Sequence, residues 1–346
     1  MKIVYVGLSG GVDSSVTAAL LKEQGYSVVG AYMKNWTQDF EGIDCPWKVD
    51  LADARAVAAK LDIPFKVFDF QAEYKQKVVD YMVAEYQAGR TPNPDVMCNA
   101  EIKFKLFLET ALEDGADLIA TGHYARVKNG QLFTGVDANK DQSYFLYRVT
   151  KEALEKTLMP IGELEKPAVR AKAKELGLVT AAKPDSQGIC FVAEVGIHEF
   201  LSQYVKTEPG NVVDRKGKVL GTHDGAIYYT IGQRHGLGIG GGKPYYVIDK
   251  DMKTNTVVVT DDADDLLLQT DQFEIKDWIG DQPEEGKTYG VRSRYRAALI
   301  DGTLTKTDNG YEIKLSQAER AISSGQSAVV YDGERVLGGG IISAAT

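Results

Sequence analysis

The stretch GLSGGVDSS, residues 7–15, places paired glycines, one carboxylate and three hydroxyls between an apolar run, IVYV, and a helix-forming one, VTAALLKEQG. Gly10 and Gly11 let the backbone turn tightly and approach a ligand with no side chain in the way. The helix that follows offers unpaired N–H groups and the positive end of its dipole, which together favour an anion. Phosphate suits such a loop. Ser9, Ser14 and Ser15 add hydroxyl donors, and Asp13 can orient a loop amide or meet a magnesium ion carried by the phosphates. Both the lysine of GxxxxGK(S/T) and the spacing of GxGxxG are missing, so this is neither a Walker A loop nor a dinucleotide fingerprint. The plain structural alternative is a glycine turn with a serine or aspartate helix cap.

Cys98 stands in TPNPDVMCNAEIKF and Cys190 in KPDSQGICFV. Pro92 and Pro94 hold φ and bias their predecessors to extended backbone, so the first segment is expected to be a stiff exposed loop before the helix-compatible AEIKFKLFLETAL. Asp95 precedes Cys98 by three residues, near enough on a turn to share a site and handle a proton. A thiol near a helix start has its thiolate favoured by the dipole, while a neighbouring carboxylate opposes it. Beside Cys190, Lys183 brings charge and Gly188 loop freedom. Two cysteines in loops rich in prolines and acids suggest a redox or sulfur-transfer pair, against the ordinary role of such a thiol as a small buried hydrophobe. Their positions in the chain set no distance in space. Cys45, in IDCPWK, reads as structural, with a three-cysteine iron–sulfur site as the other reading. His123 follows a predicted strand end, where ligands gather in open parallel sheets, with a structural histidine as the equal alternative. Four histidines without an HExxH arrangement argue against zinc.

These residues need a scaffold, and the hydrophobic pattern predicts it. Strands at 2–8, 27–33, 65–70 and 117–121 alternate with helices at 14–24 and 51–61, which implies parallel strands joined by crossover helices. LADARAVAAKL puts Leu51, Ala54, Ala58 and Leu61 on one helix face for packing on that sheet. KEALEKTLMPIGEL reads as helical, and KPAVRAKAKELGL follows with Pro167 in a first turn and Gly177 near the end. Near residue 205 the texture turns to glycine and β-branched residues in short runs. Farther on, Asn309-Gly310 and Asp332-Gly333 are read as hairpin turns. In RSRYR, Arg292, Arg294 and Arg296 are expected on one face of a strand with Tyr295 on the other. Such a stripe grips phosphates or is an ordinary solvated edge. The expected fold class is α/β: an N-terminal doubly wound parallel sheet over 1–200, a small mostly-β central domain over 201–267 and a C-terminal β-barrel over 268–346.

A chain of 346 residues fits two or three domains. No apolar stretch approaches the roughly 20 residues that span a bilayer, and the N-terminus opens on a strand pattern without a secretory signal, so a cytoplasmic setting is expected. Three scattered cysteines do not staple a secreted domain. The net charge of -9 argues against a general nucleic-acid binder while leaving room for a local basic patch.

SGGVDSS resembles the pyrophosphate loop of the N-type ATP pyrophosphatases, which cleave ATP between its α- and β-phosphates to adenylate a carbonyl-type oxygen. Taken in order with GAYMKNW, TPNPDVMCNAEIKF, ATGHYA, KDQSYFL, DSQGICF and YTIGQRHGLGIGG, it makes the chain resemble the tRNA-specific 2-thiouridylases over essentially its whole length. The resemblance implies a Rossmann-like ATP pyrophosphatase domain in which Gly7, Leu8, Ser9, Gly10, Gly11, Val12, Asp13, Ser14 and Ser15 hold the ATP phosphates. Met33 would contact the adenine region and Gly122 would close the nucleotide site. Cys190 would carry a persulfide, Cys98 would attack it or resolve it to a transient disulfide, and Asp95 would be the general acid or base. Asn93, Pro94 and Asp95 would surround the target base, with His123 beside the RNA. Lys140, Asp141, Gln142, Arg294, Tyr295 and Gln326 would contact bound tRNA. ATP and Mg2+ are the implied cofactors. The implied partners are tRNA and a persulfide relay that begins at a cysteine desulfurase, with no membrane.

The implied reaction is 2-thiolation of the wobble uridine of tRNAs for glutamate, glutamine and lysine. The C2 carbonyl of uracil is a poor electrophile, so AMP transfer makes its oxygen a leaving group before persulfide sulfur attacks. The base must leave the anticodon stack to reach a pocket. Another adenylating ligase, such as an argininosuccinate-synthase-like enzyme with an amine nucleophile, shares the loop but leaves Asp95, Cys98 and Cys190 without a role. A nucleotide-dependent RNA-binding module without turnover is the reading from a different class.

Overall fold

A computed structural model of the chain describes residues 1–38, 46–185, 196–240 and 242–345. Two compact units emerge, the first made of Met1–Val79, Pro94–Val195 and Asp332–Leu337, the second of Asp80–Asn93, Gly196–Tyr331 and Gly338–Thr346.

In the first unit the strands are β1 (Ile3–Gly7), β2 (Ser27–Lys34), β3 (Phe65–Asp69), β4 (Leu118–Ala120), the hairpin β5 (Ala125–Lys128) and β6 (Gln131–Thr134), and β7 (Thr157–Leu158). Five of them form a parallel sheet in the order β3-β2-β1-β4-β7. β1 is buried from Val4 to Gly7, as a strand covered on both faces must be. Helices α1 (Val12–Glu23) and α2 (Trp47–Lys60) cover the face that carries Val4 and Val6, while Phe68 and Phe107 pack on the Tyr5 and Gly7 side. Ala18, Leu21, Ala54, Val57 and Ala58 pack with Val4, Val6, Val28 and Tyr32 in one cluster. Another cluster joins Val12, Val16, Tyr124 and Ile161 to Val169 and Ala173 of the helix Lys166–Glu175. The chain order reverses at β1, with β2 on one side and β4 on the other, so the loops after β1 and β4 open at the switch point where open α/β sheets take ligands.

Two expectations in this unit are corrected. KEALEKTLMPIGEL is not one helix: it divides into a helix at Lys151–Glu155, strand β7 and a 3-10 turn at Pro160–Glu163. Pro160 cannot continue a helix, and the edge of β4 recruits the segment through Ile119 N–H to Lys156 O (2.9 Å) and Thr121 N–H to Leu158 O (3.1 Å). The Cys98 segment is not an exposed loop. It is helical from Pro94 through Met97, a π-helix over Cys98–Leu106, and α-helical again over Phe107–Glu113. Proline at a first helical position lacks only an N–H that has no partner there anyway. The buried side chains of Val96, Ile102 and Phe104 then hold the segment inward.

The second unit carries β8 (Gly210–Asp214), β9 (Val219–His223), β10 (Tyr246–Asp251) and β11 (Thr256–Thr260), paired in the order β10-β11-β8-β9. Six further strands follow: β12 (Gln269–Gly280), β13 (Thr288–Arg292), β14 (Ile300–Thr307), β15 (Gly310–Arg320), β16 (Ser327–Asp332) and β17 (Arg335–Ala345). They run β12-β15-β14-β13-β16-β17, and β12 pairs again with β17, closing a six-stranded barrel. Closure removes the exposed sheet edges that would otherwise invite pairing. Phe273, Ile313, Val329 and Ile342 are fully buried.

Both expected hairpins form, each with its turn one residue from the predicted pair. Thr307 pairs with Gly310 across Asp308–Asn309, and Gly333–Glu334 joins β16 to β17. The arginine stripe does not form, because β13 ends at Arg292. Ser293 is buried and donates to Glu319 Oε2 (2.7 Å), and Arg296 sits at φ 63°, so the chain turns where alternation was expected. Arg294 and Arg296 are exposed in that turn.

Candidate functional site

The loop after β1 has the open geometry an anion requires. Gly11 caps α1 without any side-chain capping bond, which corrects the serine or aspartate cap considered above and leaves N–H groups of the first turn available. The serines brace the loop instead. Ser9 N–H donates to Ser14 Oγ (3.2 Å), Ser15 Oγ donates to Gly11 O (2.7 Å), and Thr180 Oγ1 donates to Ser15 Oγ (3.0 Å). Gly10 lies at φ +75°, and a Cβ there would overlap the backbone of Asp50 on α2.

Neighbouring strand ends converge on the same place. A Cβ on Gly122, after β4, would stand 2.7 Å from Ser14 N and 2.8 Å from the Asp13 carbonyl carbon. One on Gly7 would meet Met33 Cε, from the end of β2, at 2.9 Å. The structure thus brings the residue 7–15 loop, Met33 and Gly122 together.

Around Asp13 lies a charged cluster. Lys166 Nζ donates to both Asp13 oxygens (2.7 and 2.8 Å), and the Tyr124 hydroxyl donates to Oδ1 (2.8 Å). Lys166 is buried and also meets Asp185 Oδ1 at 2.8 Å. Asp185 accepts from Lys140 (2.7 Å) and Arg170 (2.6 Å) as well. Burial works to raise the Asp185 carboxyl, but the bonds from Lys140 and Lys166 outweigh it and hold the group at about 2. Burial first, then the charge of Asp13, pushes the Tyr124 phenol up, so it stays a donor at neutral pH. Lys183 pairs with Asp50 (2.7 Å) and Asp53 (2.5 Å) on α2. Sequence reasoning did not single out Tyr124, Lys166, Arg170 or Asp185 for this site. The signals present were indirect: Tyr124 stands in ATGHYA and Asp185 opens DSQGICF, while Lys166 and Arg170 lie on a basic, proline-started helix, KPAVRAKAK, that reads locally as a solvated face.

Among the described residues no three acidic, histidine or cysteine side chains gather to hold a metal ion. A magnesium ion that keeps several waters and rides on phosphates needs only one or two carboxylates; Asp13 at the start of α1 is such a carboxylate, and an ion there would share its oxygens with Lys166 and Tyr124.

The thiol region lies in the same unit. Asp95 occupies the first turn of the helix that starts at Pro94, where burial raises its carboxyl and Lys103 offsets this in part. Cys98 is buried at the head of the π segment, a conformation frequent at functional sites. Asn99 Nδ2 donates to Phe145 O (3.2 Å), while its buried Oδ1 accepts no bond. His123 is buried, with Nδ1 2.8 Å from Thr121 Oγ1 and its ring 5.5 Å from that of Phe104. Burial first, then Lys103, depresses its pKa well below 6.5, so the imidazole is neutral at pH 7. Lys103 therefore acts on both Asp95 and His123. Cys45 and Cys190 lie outside the described residues.

Several residues expected at tRNA make intramolecular bonds. Asp141 accepts from Gly135 N–H and Ser143 N–H (3.1 Å each), and Gln142 Oε1 accepts from Tyr124 N–H (3.0 Å). Tyr295 lies under the Arg296 guanidinium at 5.1 Å. In the second unit, Gln326 Nε2 donates to Thr91 O (2.9 Å) and Pro92 O (3.3 Å), and Thr91 N–H donates to Ser324 O (2.9 Å). Gln326 thereby holds the backbone just before Asn93. Replacing Gln326 with alanine removes bonds worth about 1 kcal/mol, so exchange of the Asn93 amide should quicken about fivefold in hydrogen–deuterium exchange. Unchanged exchange would show that the amide does not hold the loop.

Three family models match in order: the tRNA methyl transferase HUP domain at residues 2–194, the tRNA methyl transferase PRC-barrel domain at 198–261 and the aminomethyltransferase beta-barrel domain at 270–342. A tRNA-specific 2-thiouridylase MnmA from Methylobacillus flagellatus is 49% identical over 358 residues, covering 99% of this chain and 99% of the relative. Its namesake from Neisseria meningitidis serogroup C is 51% identical over 347 residues, covering 98% and 95%. Among solved structures, a 4-thiouridine synthetase–RNA complex with bound ATP aligns with 59% of this chain and 50% of its own at 17% identity and a TM-score of 0.36.

Proposed function

The chain belongs to the tRNA-specific 2-thiouridylase family, and from that premise we propose that it uses ATP to convert the wobble uridine of tRNAs for glutamate, glutamine and lysine to 2-thiouridine. The observation that carries this reading is the uncapped start of α1 behind Gly10 and Gly11, at the sheet's switch point, in the same unit as the helix bearing Asp95 and Cys98. Domain limits at 1–200, 201–267 and 268–346 belong to the proposal. So does a cytoplasmic setting; no helix among the described residues is long and apolar enough to cross a membrane.

On this reading, residues 7–15 cradle the phosphates through backbone N–H groups and hydroxyls, Met33 borders the adenine and Gly122 leaves room for the nucleotide. Asp13 would hold a magnesium ion carried by the phosphates, and that ion would supply charge neutralisation there. The uracil C2 oxygen bonds to the α-phosphorus as the α–β bridge breaks and pyrophosphate leaves. The terminal sulfur of a Cys190 persulfide then forms the C2–S bond as AMP departs. Cys98 thiolate attacks the Cys190 sulfur, releasing the thiolated base and leaving a Cys98–Cys190 disulfide for an external thiol to reduce. Asp95, whose carboxyl holds its proton more tightly than a solvated one, passes a proton to or from the base. Asn93, Pro94 and Asp95 flank that base, His123 packs beside the RNA as a neutral imidazole, and Lys140, Asp141, Gln142, Arg294, Tyr295 and Gln326 lie along the tRNA. The sulfur comes from a persulfide relay that starts at a cysteine desulfurase.

The test is mass spectrometry of nucleosides from unmodified glutamate, glutamine and lysine tRNAs incubated with the protein, magnesium, ATP and a persulfide donor. 2-Thiouridine that appears only with ATP is the expected result. Pyrophosphate release without RNA would favour an adenylating ligase, and ATP binding with no turnover would favour a binding module.

A further inference from the structure

Asp185 is one carboxylate shared by three cations, Lys140, Lys166 and Arg170, at 2.7, 2.8 and 2.6 Å. Lys166 is also bonded to both oxygens of Asp13, the second residue of α1, so this positive cluster lies one side chain from the open helix start. Two ammonium groups and a guanidinium converging on one point are the donor set that phosphate oxygens attract. Arg170 has side-chain anchors besides Asp185, and the main chain at Lys166 is fixed where its helix begins. The Lys166 N–H donates to Asp137 Oδ2 (2.9 Å), and Arg170 Nη1 donates to Ala181 O and Lys183 O (3.0 Å each).

We propose that the Asp185 carboxylate is an internal stand-in for phosphate, holding Lys166 and Arg170 in position until the β- and γ-phosphates of the nucleotide, or free pyrophosphate, take its place. The inference rests on the reading that residues 7–15 hold the ATP phosphates. It assigns Lys166 and Arg170 to the departing pyrophosphate and makes Asp185 a competitor for them. Phosphate carries more charge than one carboxylate and accepts more bonds, so it wins at saturation, while Asp185 adds to Asp13 in neutralising buried Lys166 and also pairs half-buried Arg170 when the site is vacant. After release, return of Asp185 helps to expel product.

Calorimetric titration of the full chain with ATP and with inorganic pyrophosphate tests this. Asp185→Asn should bind pyrophosphate about tenfold more tightly than wild type, Asp185→Glu should match wild type, and Lys166→Met should bind at least about tenfold more weakly, with Lys166→Arg restoring much of the loss. A folded Asp185→Asn protein that binds pyrophosphate no more tightly than wild type overturns the proposal. Wild-type protein supplies a second readout: carbodiimide-directed amidation of Asp185, followed by peptide mass spectrometry, should rise when pyrophosphate is added, and no rise overturns the proposal even where a variant fails to fold. Gly10→Ala separates the two levels. If it binds pyrophosphate as wild type does, the phosphate-loop reading itself falls and takes this inference with it. If it does not bind while Lys166→Met binds normally, only the inference falls.

Discussion

A Cys190→Ser protein is expected to bind ATP with wild-type affinity and to form 2-thiouridine from a persulfide donor at a rate lower by roughly 10³-fold or more. The hydroxyl cannot carry a sulfane sulfur, so the nucleophile of the second step is absent, and losses of this size follow removal of a covalent nucleophile. ATP affinity stands apart because every group assigned to the phosphates lies on the β1–α1 loop, after β4, or on the helix Lys166–Glu175. Cys98→Ser should behave differently: its partner still loads with sulfur, but no thiol is present to break the link between Cys190 and the base. The measurements are nucleoside mass spectrometry for product, intact-protein mass spectrometry for the added sulfur on Cys190, and an ATP titration for each variant. Wild-type thiolation by Cys190→Ser would remove that residue from the chemistry.

The second large effect is expected at Gly122. Its methyl-bearing variant, Gly122→Ala, would put a Cβ 2.7 Å from Ser14 N and 2.8 Å from the Asp13 carbonyl carbon, both backbone atoms at the start of α1. Neither the loop after β4 nor the start of α1 can yield without displacing the other, so the first-turn N–H groups lose the arrangement proposed to hold phosphate. Overpacking of this kind costs about 1–3 kcal/mol of stability, and ATP affinity should fall by about tenfold or more. Gly115→Ala is the contrast. Gly115 lies at φ +94° with no atom within 4 Å of an added Cβ, so alanine there suffers backbone strain of about 1–2 kcal/mol and no crowding. Melting temperature should drop in both variants, but ATP binding only in Gly122→Ala. Normal ATP binding by a folded Gly122→Ala protein would show that the loop after β4 does not shape the nucleotide site.

Much of the first unit was legible because its signals are local. An apolar run, a glycine pair and a helix-forming segment occupy consecutive residues between 3 and 23, and the predicted strands at 27–33 and 65–70 match β2 and β3 within a residue. Hairpins in the barrel were equally visible, since turn residues between β-branched runs need no distant partner, although the turn itself moved by one residue. The Cys98 segment was misjudged for a physical reason. Prolines bias the backbone whatever surrounds them, but whether Pro94 starts a buried helix depends on apolar surface elsewhere in the unit. RSRYR failed similarly, because a buried bond from Ser293 to Glu319, 26 positions away, ends the strand that alternation implied.

The sequence alone determined the chemistry available: a glycine loop of a kind that suits phosphate, an acid and thiol spaced three residues apart, and the ordered motifs by which the chain resembles its family. Tertiary structure alone decided how that chemistry is charged and held. Lys166 meets Asp13 across 153 positions, Lys183 meets Asp53 across 130, and Gln326 meets Thr91 across 235. No periodicity or propensity encodes such pairs, because each contact is set by how packed elements cross, and a charged side chain read locally is simply solvated. Asp95 and His123 show the same division. Their identities were written in the chain, but the burial that raises one pKa and lowers the other exists only once the helix and sheet have packed.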